Sequence, residues 1–365
     1  MHYLDANATE PLRPEARAAM LAVLDITGNP SSVHGAGRAT RRVMEDARES
    51  LAARFGARAG DLVFTSGGTE ADALAVHALG QGRRLVVGAT EHDAIRAAAP
   101  GATVVPVHAN GLIDLKALAT ILEDGAPALV CVMLANNETG TIQPIAEIAV
   151  LCRAHGALLH VDAVQAAGRM PIDLRALGAS SLAISSHKLG GPTGVGVLLL
   201  SPDLSTIVPL IRGGGQERGR RGGTPPVAAI AGFAATALAT PDINTLTALR
   251  DRAERAAVAS GAVVIGGGAP RLANTTCLAL PGARADTQVI ALDLDGIAVS
   301  AGAACSSGKV AASHVLTAMG LGALAGQAIR VSLPWNATAA DVEAFAVAYA
   351  RMADRLRPPL VSRAA

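Results

Sequence analysis

The sequence has few aromatic side chains and no long hydrophobic run. Phe, Trp and Tyr make up 2% of its 365 residues, although 50% are hydrophobic. The core must therefore be built from Ala, Leu, Val and Ile, and a chain of this length is more often two domains than one. No apolar run approaches the roughly 18 residues of a membrane helix, and residues 1–5 do not resemble a signal peptide. We expect a soluble cytoplasmic protein with no membrane partner.

Strong net charge and paired cysteines are also lacking. The 31 basic and 30 acidic residues leave a net charge of +1. Such a small charge produces no strong positive field that would attract nucleic-acid phosphates, so we expect no direct nucleic-acid partner. The four cysteines show neither metal-ligand spacing nor a disulfide pattern. Cys131, Cys152 and Cys277 lie in apolar segments and are predicted to be small buried hydrophobes. Cys305 lies among small and polar residues, which predicts an exposed loop.

Lysine is scarce as well, and this scarcity points to one residue. Only Lys116, Lys188 and Lys309 are lysines among the 31 basic residues. Arginine stays protonated and cannot form an imine, whereas a desolvated lysine can lose its proton and attack an aldehyde. Lys188 follows an apolar segment and is therefore a candidate for a Schiff base. On that stretch alone, an ordinary loop lysine is an equally good interpretation.

Strand-like and helix-like segments alternate along most of the chain. The predicted strands include residues 61–64, 84–88, 103–107, 128–134, 157–159 and 192–200. Helices are predicted before the first strand, at residues 15–24 and 38–55, and between later strands, at residues 93–98, 115–122 and 145–153. Such alternation predicts an α/β fold with a mainly parallel sheet, whose ligands bind at the carboxyl ends of the strands. A second alternation, over residues 246–299, predicts a smaller α/β domain.

Polar residues follow the predicted strands and form one candidate set. They are Thr65 to Thr69, Thr90 to His92, Asn136 to Glu138, His160 to Asp162 with Gln165, and Ser185 to Lys188. The Gly67–Gly68 pair at a strand-to-helix turn predicts a phosphate site, although a simple capped helix start is also possible. A carboxylate such as Asp162 at the end of an apolar strand needs a positive partner, for which a protonated ring nitrogen is suitable.

In this order the motifs resemble those of the cysteine desulfurases, pyridoxal-phosphate enzymes of aminotransferase class V. The likeness extends from Tyr3-Leu4-Asp5-Ala6-Asn7 to Arg330-Val331-Ser332-Leu333. It implies the fold type I of pyridoxal-phosphate-dependent transferases, as a homodimer. Residues 15–240 would form the large cofactor-binding domain around a mainly parallel seven-stranded sheet. Residues 1–14 and 241–365 would form the smaller domain, which carries the Cys305 loop.

The resemblance also implies residue roles around pyridoxal 5'-phosphate. Lys188 would hold the cofactor covalently and move protons, His92 would stack on the ring and assist proton transfer, and Asp162 would pair with the ring nitrogen. Asn137 and Gln165 would bind near the ring hydroxyl. The phosphate would be held by Gly68, Thr69, Ser185 and His187, and by Thr224 across the dimer interface.

Cys305 would be the second catalytic group. It would attack the sulfur of L-cysteine, keep it as a persulfide and release alanine, while Arg330 and Asn29 would bind the amino-acid substrate. The sulfur would pass to a protein acceptor such as an iron-sulfur scaffold. No metal site is expected beyond transient iron-sulfur ligation through Cys305.

Some residues depart from the family pattern. Glu10 replaces a threonine, Ala301 and Ala303 replace serines, and the tail after residue 357 is short, which leaves acceptor docking open. Two alternatives remain. The chain could be a selenocysteine lyase or another class V aminotransferase, or it could be a weakly catalytic sulfur-trafficking partner.

Overall fold

A computed structural model describes residues 1–204, 206–302 and 312–356. The strands are β1 (His2–Tyr3), β2 (Leu62–Thr65), β3 (Arg84–Gly88), β4 (Thr103–Val105), β5 (Ala128–Met133), β6 (Leu158–Asp162), β7 (Ser181–Ser185), β8 (Gly196–Leu200), β9 (Val263–Ile265), β10 (Thr275–Ala279), β11 (Ile297–Ala298) and β12 (Ala328–Ser332). The helices are α1 (Pro14–Leu24), α2 (Gly35–Arg54), α3 (Gly68–Leu79), α4 (Asp93–Ala98), α5 (Leu115–Leu122), α6 (Ile145–Ala154), α7 (Leu174–Leu177), α8 (Val227–Ala237), α9 (Ile243–Ala259), α10 (Ala285–Leu294), α11 (His314–Ala318) and α12 (Ala339–Leu356).

The large sheet has seven strands in the order β2-β8-β7-β6-β5-β3-β4. Strands β7, β6, β5, β3 and β4 run parallel to one another, and β8 runs antiparallel to both β2 and β7. This confirms the predicted α/β fold with its mainly parallel seven-stranded sheet. The carboxyl ends of β5, β6 and β7 meet at one edge, where polar residues follow them.

Apolar layers cover both faces of this sheet. Along β5, Leu129 and Cys131 pack with residues of α3 and α4, whereas Val130 and Val132 pack with residues of α2, α5, α6 and α8. Successive side chains of a strand point to opposite faces, so a strand that is covered on both sides is apolar throughout. The continuous apolar run at residues 128–133 has this cause.

Smaller sheets lie in the C-terminal part of the chain. Strands β9, β10 and β12 form an antiparallel sheet, and β1 pairs in parallel with β11, which places His2 opposite Ile297. Leu4 belongs to an apolar cluster whose other buried members lie between residues 246 and 353. The first residues therefore pack with the C-terminal elements. The domain boundaries at residues 14 and 240 stay predictions.

Three strands differ from the prediction by two or more residues at one end. The strand expected at residues 157–159 is β6, which continues through Asp162, so this carboxylate is the last strand residue and not part of the following loop. Strand β4 ends at Val105 because Pro106 follows, and proline cannot donate to the ladder. Strand β8 starts at Gly196, after a turn at residues 190–194 that contains three glycines and one proline. Within the residues described here, no helix is both long and apolar enough to span a bilayer.

A core substitution tests the packing of the smaller apolar cluster. Phe345 in α12 is fully buried, with its ring centroid 5.4 Å from that of Tyr349. Phe345→Ala should lower the free energy of unfolding by roughly 3–5 kcal/mol because it leaves a cavity. The control Val347→Ala lies on the same helix at 57% exposure and should change stability by less than roughly 0.5 kcal/mol. Urea denaturation measures both, and equal effects would contradict this packing.

Candidate active site

Lys188 lies where β7 ends, at the edge of the large sheet. After Ser185 the chain forms one 3₁₀ turn, Ser186–Lys188, which directs the lysine back across the strand ends. Its Nζ donates hydrogen bonds to the backbone carbonyls of Asn7, at 2.5 Å, and Ala8, at 2.9 Å. The segment that follows β1 therefore meets the large sheet at this amine.

The surroundings of Lys188 disfavour its protonated form. Burial lowers the pKa of Lys188 from 10.5 to about 7, and the positive charges of Arg330 and Arg169 add to this effect. Asp5 and Asp162 act in the opposite direction but do not cancel it. Because the neutral amine is the nucleophilic form, a substantial fraction of this lysine can attack an aldehyde at neutral pH.

Asp162 lies at the end of the neighbouring strand β6 and is buried. Its Oδ1 accepts a hydrogen bond from the Val164 backbone nitrogen at 2.8 Å. Burial, with Asp72 nearby, raises the pKa of Asp162 from 3.8 to about 7. Among the residues with described positions, Asp162 forms no ion pair with an Arg or Lys. A cation placed beside it would restore the charged carboxylate, as the interpretation of Asp162 as a ring-nitrogen partner requires.

A buried polar layer lies behind Asp162. His160, two residues earlier on β6, is hydrogen-bonded through Nε2 to Asp72 at 3.1 Å and through Nδ1 to Ser181 at 2.8 Å. Burial lowers the pKa of His160 to about 4, so its ring is neutral near pH 7. His160 was predicted as a strand-end residue, but no sequence signal pointed to Asp72 or Ser181, which come from α3 and β7.

The start of α3 forms a cradle for an anion. The helix begins at Gly68, and a Cβ at Gly68 would lie 2.6 Å from Cγ2 of Val164, so no larger residue fits there without displacing it. A Cβ at Gly67 would lie 3.9 Å from Oγ of Ser185, which is buried and has no hydrogen-bond partner. A free hydroxyl beside a helix N-terminus suits a phosphate, and Thr69 adds an exposed hydroxyl. The residues thus fit the phosphate end of the expected cofactor.

His187 joins this group as a neutral hydrogen-bonding residue. Its Nδ1 lies 2.8 Å from Oγ1 of Thr9, and burial together with Lys188 lowers its pKa to about 4. The imidazole therefore carries no charge near pH 7, and its bond to an anion would be that of a neutral donor.

His92, Gln165 and Asn137 occupy other strand ends. Nδ1 of His92 accepts a hydrogen bond from the Ala94 backbone nitrogen at 3.1 Å, which caps α4 and leaves Nε2 of this exposed side chain for other contacts. Gln165 donates from Nε2 to the Asn7 carbonyl at 3.0 Å. The Asn137 side chain makes no hydrogen bond with any residue that the structure describes, whereas its backbone carbonyl accepts from Asn7 and Arg330.

Arg330 in β12 connects the smaller sheet to this edge. Its Nη2 lies 2.7 Å from Oδ1 of Asp5, and its Nη1 donates to the Asn137 carbonyl at 3.0 Å. Its Nε is buried without a partner. The guanidinium is thus held in place by Asp5 while one donor remains for a ligand carboxylate, and sequence reasoning had given Asp5 no role.

Two predicted residues are not joined to the others by described contacts. Asn29 is exposed, and its Oδ1 accepts from the Ser31 backbone nitrogen within its own loop. Thr224 is exposed too, but its loop is tied to the anion cradle. Arg221 pairs with Glu70 at 2.8 Å, and the same carboxylate accepts the Ser66 backbone nitrogen at 2.8 Å.

Cys305 and Lys309 lie outside the described residues, but both flanks of their segment meet one carboxyl group. Oγ of Ser313 donates to Oε2 of Glu138 at 2.6 Å, and a Cβ at Gly302 would lie 2.7 Å from the same oxygen. The other cysteines, at 131, 152 and 277, are buried and unpaired, as predicted. No His, Cys, Asp and Glu cluster suited to a metal occurs in the described part of the chain.

Comparison with known proteins gives the family. The aminotransferase class-V family model matches residues 2–345. The chain belongs to aminotransferase class V. It is 42% identical to the IscS-like cysteine desulfurase of Mycobacterium tuberculosis, with 94% of each chain covered, and 43% identical to a cysteine desulfurase of Cereibacter sphaeroides, with 97% of this chain and 96% of the relative covered. The X-ray structure of a NifS-like protein from Rickettsia africae superposes with a TM-score of 0.90 at 35% identity, over 97% of this chain and 99% of that one. The expected family and fold are thereby confirmed.

The burial of Lys188 makes a pH-dependent stability prediction for the cofactor-free protein. At pH 7 and below, the folded chain carries a buried ammonium that the unfolded chain keeps in water, so Lys188→Met should raise the melting temperature. Between pH 7 and 10.5 the unfolded chain binds a proton that the folded chain has released. Wild-type stability therefore rises with pH relative to the variant, and the advantage of Lys188→Met should shrink.

Thermal melts at pH 6.5 and 9.5 measure this difference. The matched control is Lys116→Met, because Lys116 is exposed in α5. It should show no such pH dependence. A Lys188→Met effect of the same size at both pH values would show that the amine is not desolvated in the folded protein.

Proposed function

We propose that this protein is a pyridoxal-phosphate-dependent cysteine desulfurase that converts L-cysteine to L-alanine and retains the sulfur on Cys305. The observation that carries this proposal is the desolvated Lys188 amine, with a pKa of about 7, at a sheet edge that also presents the unpaired hydroxyl of Ser185 and the buried carboxyl of Asp162, which has no Arg or Lys partner among the described residues. An aldehyde, a phosphate and a ring cation would satisfy these three groups together. The relatives named as cysteine desulfurases support the same activity.

Different residues around Lys188 would bind different parts of the cofactor. Gly68, Thr69, Ser185 and His187 would hold the phosphate, Asp162 the ring nitrogen, and Asn137 and Gln165 the ring hydroxyl, with His92 against the ring. When bound, pyridoxal 5'-phosphate supplies an electron sink that weakens the bond between carbon and sulfur in cysteine. Lys188, once its amine is free, is the group placed to move protons at the substrate carbon.

The sulfur transfer needs no outside oxidant. The Cys305 thiolate would form a bond to the substrate sulfur as the bond from that sulfur to carbon breaks, and the carbon would take up a proton. L-Cysteine and the enzyme thiol thus become L-alanine and an enzyme persulfide, in which sulfur is oxidised and carbon is reduced. Arg330 would bind the substrate carboxylate through its planar donors, with Asn29 assisting.

The wider setting of the reaction is part of the same proposal. A homodimer would bring Thr224 of one chain to the cofactor phosphate of the other, which agrees with its exposed position beside a loop tied to Glu70. The persulfide sulfur would pass to an acceptor protein, such as an iron-sulfur scaffold, in the cytoplasm. Transient iron-sulfur ligation through Cys305 belongs to this step.

The cofactor site has a direct spectroscopic test. Purified protein incubated with pyridoxal phosphate should show a visible absorption band that Lys188→Ala abolishes, because an aldehyde needs this amine to bind covalently. Lys116→Ala, at an exposed position, should keep the band. A colourless wild-type protein that the cofactor cannot restore would reject the proposed enzyme and favour a sulfur-trafficking partner.

The role of Cys305 is tested separately. Cys305→Ser should lower the rate of alanine formation from cysteine by at least roughly a hundredfold, because serine cannot take up sulfur as a persulfide. The visible band of the bound cofactor should persist. Mass spectrometry of wild type after cysteine treatment should find one added sulfur on Cys305. Ser306→Ala is the control and should retain both signals. Undiminished turnover in Cys305→Ser would contradict the persulfide step.

A further inference from the structure

Behind Lys188 lies a buried ion pair that the proposed reaction does not use. Oε1 of Glu10 is 3.2 Å from Nη2 of Arg169, and the two side chains are only 5% and 4% exposed. The other carboxyl oxygen, Oε2, accepts the Trp335 backbone nitrogen at 3.1 Å. Glu10 is thus fixed from both sides. Such a pair is costly to desolvate and is only weak evidence for stability.

The pair is connected to Lys188 by consecutive hydrogen bonds. Nη1 of Arg169 donates to Oε1 of Gln165 at 2.6 Å. Nε2 of Gln165 donates to the Asn7 carbonyl at 3.0 Å, and the same carbonyl accepts from Nζ of Lys188 at 2.5 Å. Glu10, Arg169, Gln165, Asn7 and Lys188 therefore form one continuous chain of contacts.

Arg169 also determines the orientation of the Gln165 amide. A guanidinium has only donors, so the amide atom facing it must be the oxygen. The amide nitrogen then faces Asn7 and retains a second N–H for a ligand. Without Arg169 the Gln165 amide could flip. With Arg169 in place, a flip would lose a charge-assisted hydrogen bond.

We propose that Glu10 is a positioning residue for Lys188: it balances the charge of Arg169 and, through Arg169 and Gln165, fixes the Asn7 carbonyl that holds the lysine amine. This inference rests on the proposed function, because it concerns the amine that would capture the cofactor.

The charges of Glu10 and Arg169 should affect the protonation of Lys188 in a way that a purely packing role would not. The charged groups facing Lys188 are Arg330 and Arg169, which favour the neutral amine, and Asp5 and Asp162, which favour the ammonium, with His187 adjacent and neutral. Removing the carboxylate of Glu10 leaves Arg169 unbalanced and should favour the neutral amine further. Removing Arg169 should favour the ammonium. The two partners of one ion pair thus act on Lys188 in opposite directions.

The experiment measures the rate at which cofactor-free protein binds pyridoxal phosphate as a function of pH. The readout is the absorbance of the bound cofactor, so no catalytic turnover is needed. The capture rate rises as Lys188 loses its proton, so its midpoint reports on this amine. Glu10→Gln should lower the midpoint, and Arg169→Met should raise it, each on the order of one pH unit. The double variant, in which both charges are absent, should lie between the two single variants.

Exposed residues of the same types serve as controls. Glu15→Gln in α1 and Arg175→Met in α7 should leave the midpoint at its wild-type value. Glu10→Asp, which keeps the charge, should stay closer to wild type than Glu10→Gln does. A purely structural role for Glu10 would lower the melting temperature without separating the midpoints in opposite directions.

Each outcome decides the proposal. A Glu10→Gln midpoint that does not fall, or an Arg169→Met midpoint that does not rise, overturns it even if the other variant fails to fold. If wild type captures the cofactor through Lys188 and only the variant shifts are missing, the proposed function survives without this role for Glu10. If wild type captures no more than Lys188→Ala, both proposals fail together.

Discussion

The site depends on keeping one amine out of water. Lys188 is held by the carbonyls of Asn7 and Ala8, which are neutral acceptors and place no charge beside it. Carbonyl acceptors satisfy the donors of the amine without stabilising the ammonium as a carboxylate would. Burial and the two nearby arginines can then lower its pKa to about 7. The low pKa of Lys188 thus results from burial and nearby positive charge, with no carboxylate hydrogen-bonded to the amine.

The same constraint explains the interior behind the site. Burial raises the pKa of the carboxyl groups of Asp72, Glu91 and Asp162 and lowers that of His160, so every one of these groups is pushed toward its neutral form. In a region that disfavours isolated charges, a bound cation is stabilised only where a neighbouring carboxyl group can ionise and pair with it. Asp162 is the member of this set whose position at a strand end leaves it beside the ligand edge.

Two parts of the chain must come together to complete this arrangement. The segment after β1 supplies the carbonyls for Lys188 and the carboxylate for Arg330, and β12 supplies Arg330 itself. Both belong to the elements that pack with the C-terminal core. Lys188 and Arg330 are therefore fixed relative to one another by residues 5–8, and a shift of that segment would disturb both. Glu138 accepts a hydrogen bond from Ser313 and lies close to Gly302, so the residues on both sides of the Cys305 segment lie beside this carboxyl group.

Much of this could be predicted because the signals are local. The alternation of apolar strands with helices predicted the bounds of β3, α4 and α5 to the residue, and the bounds of β2 and β5 within one residue, since periodicity and turn residues act over a few positions. Lys188 was recognisable because lysine is rare in this chain and because its residue type carries specific chemistry. The resemblance to a family then supplied roles for the strand-end residues, which stay predictions for the individual positions.

Other features could not be found without the fold. The pairing of Glu10 with Arg169 spans 159 residues, and that of Asp5 with Arg330 spans 325, so no pattern of spacing connects them. The sequence by itself determined the elements, the order of the polar strand ends and Lys188 as the candidate amine, because hydrophobic periodicity and side-chain chemistry are properties of short stretches. Only the tertiary structure decided which charges face that amine, because desolvation and Coulomb interactions depend on distances in space that residues far apart in the chain create.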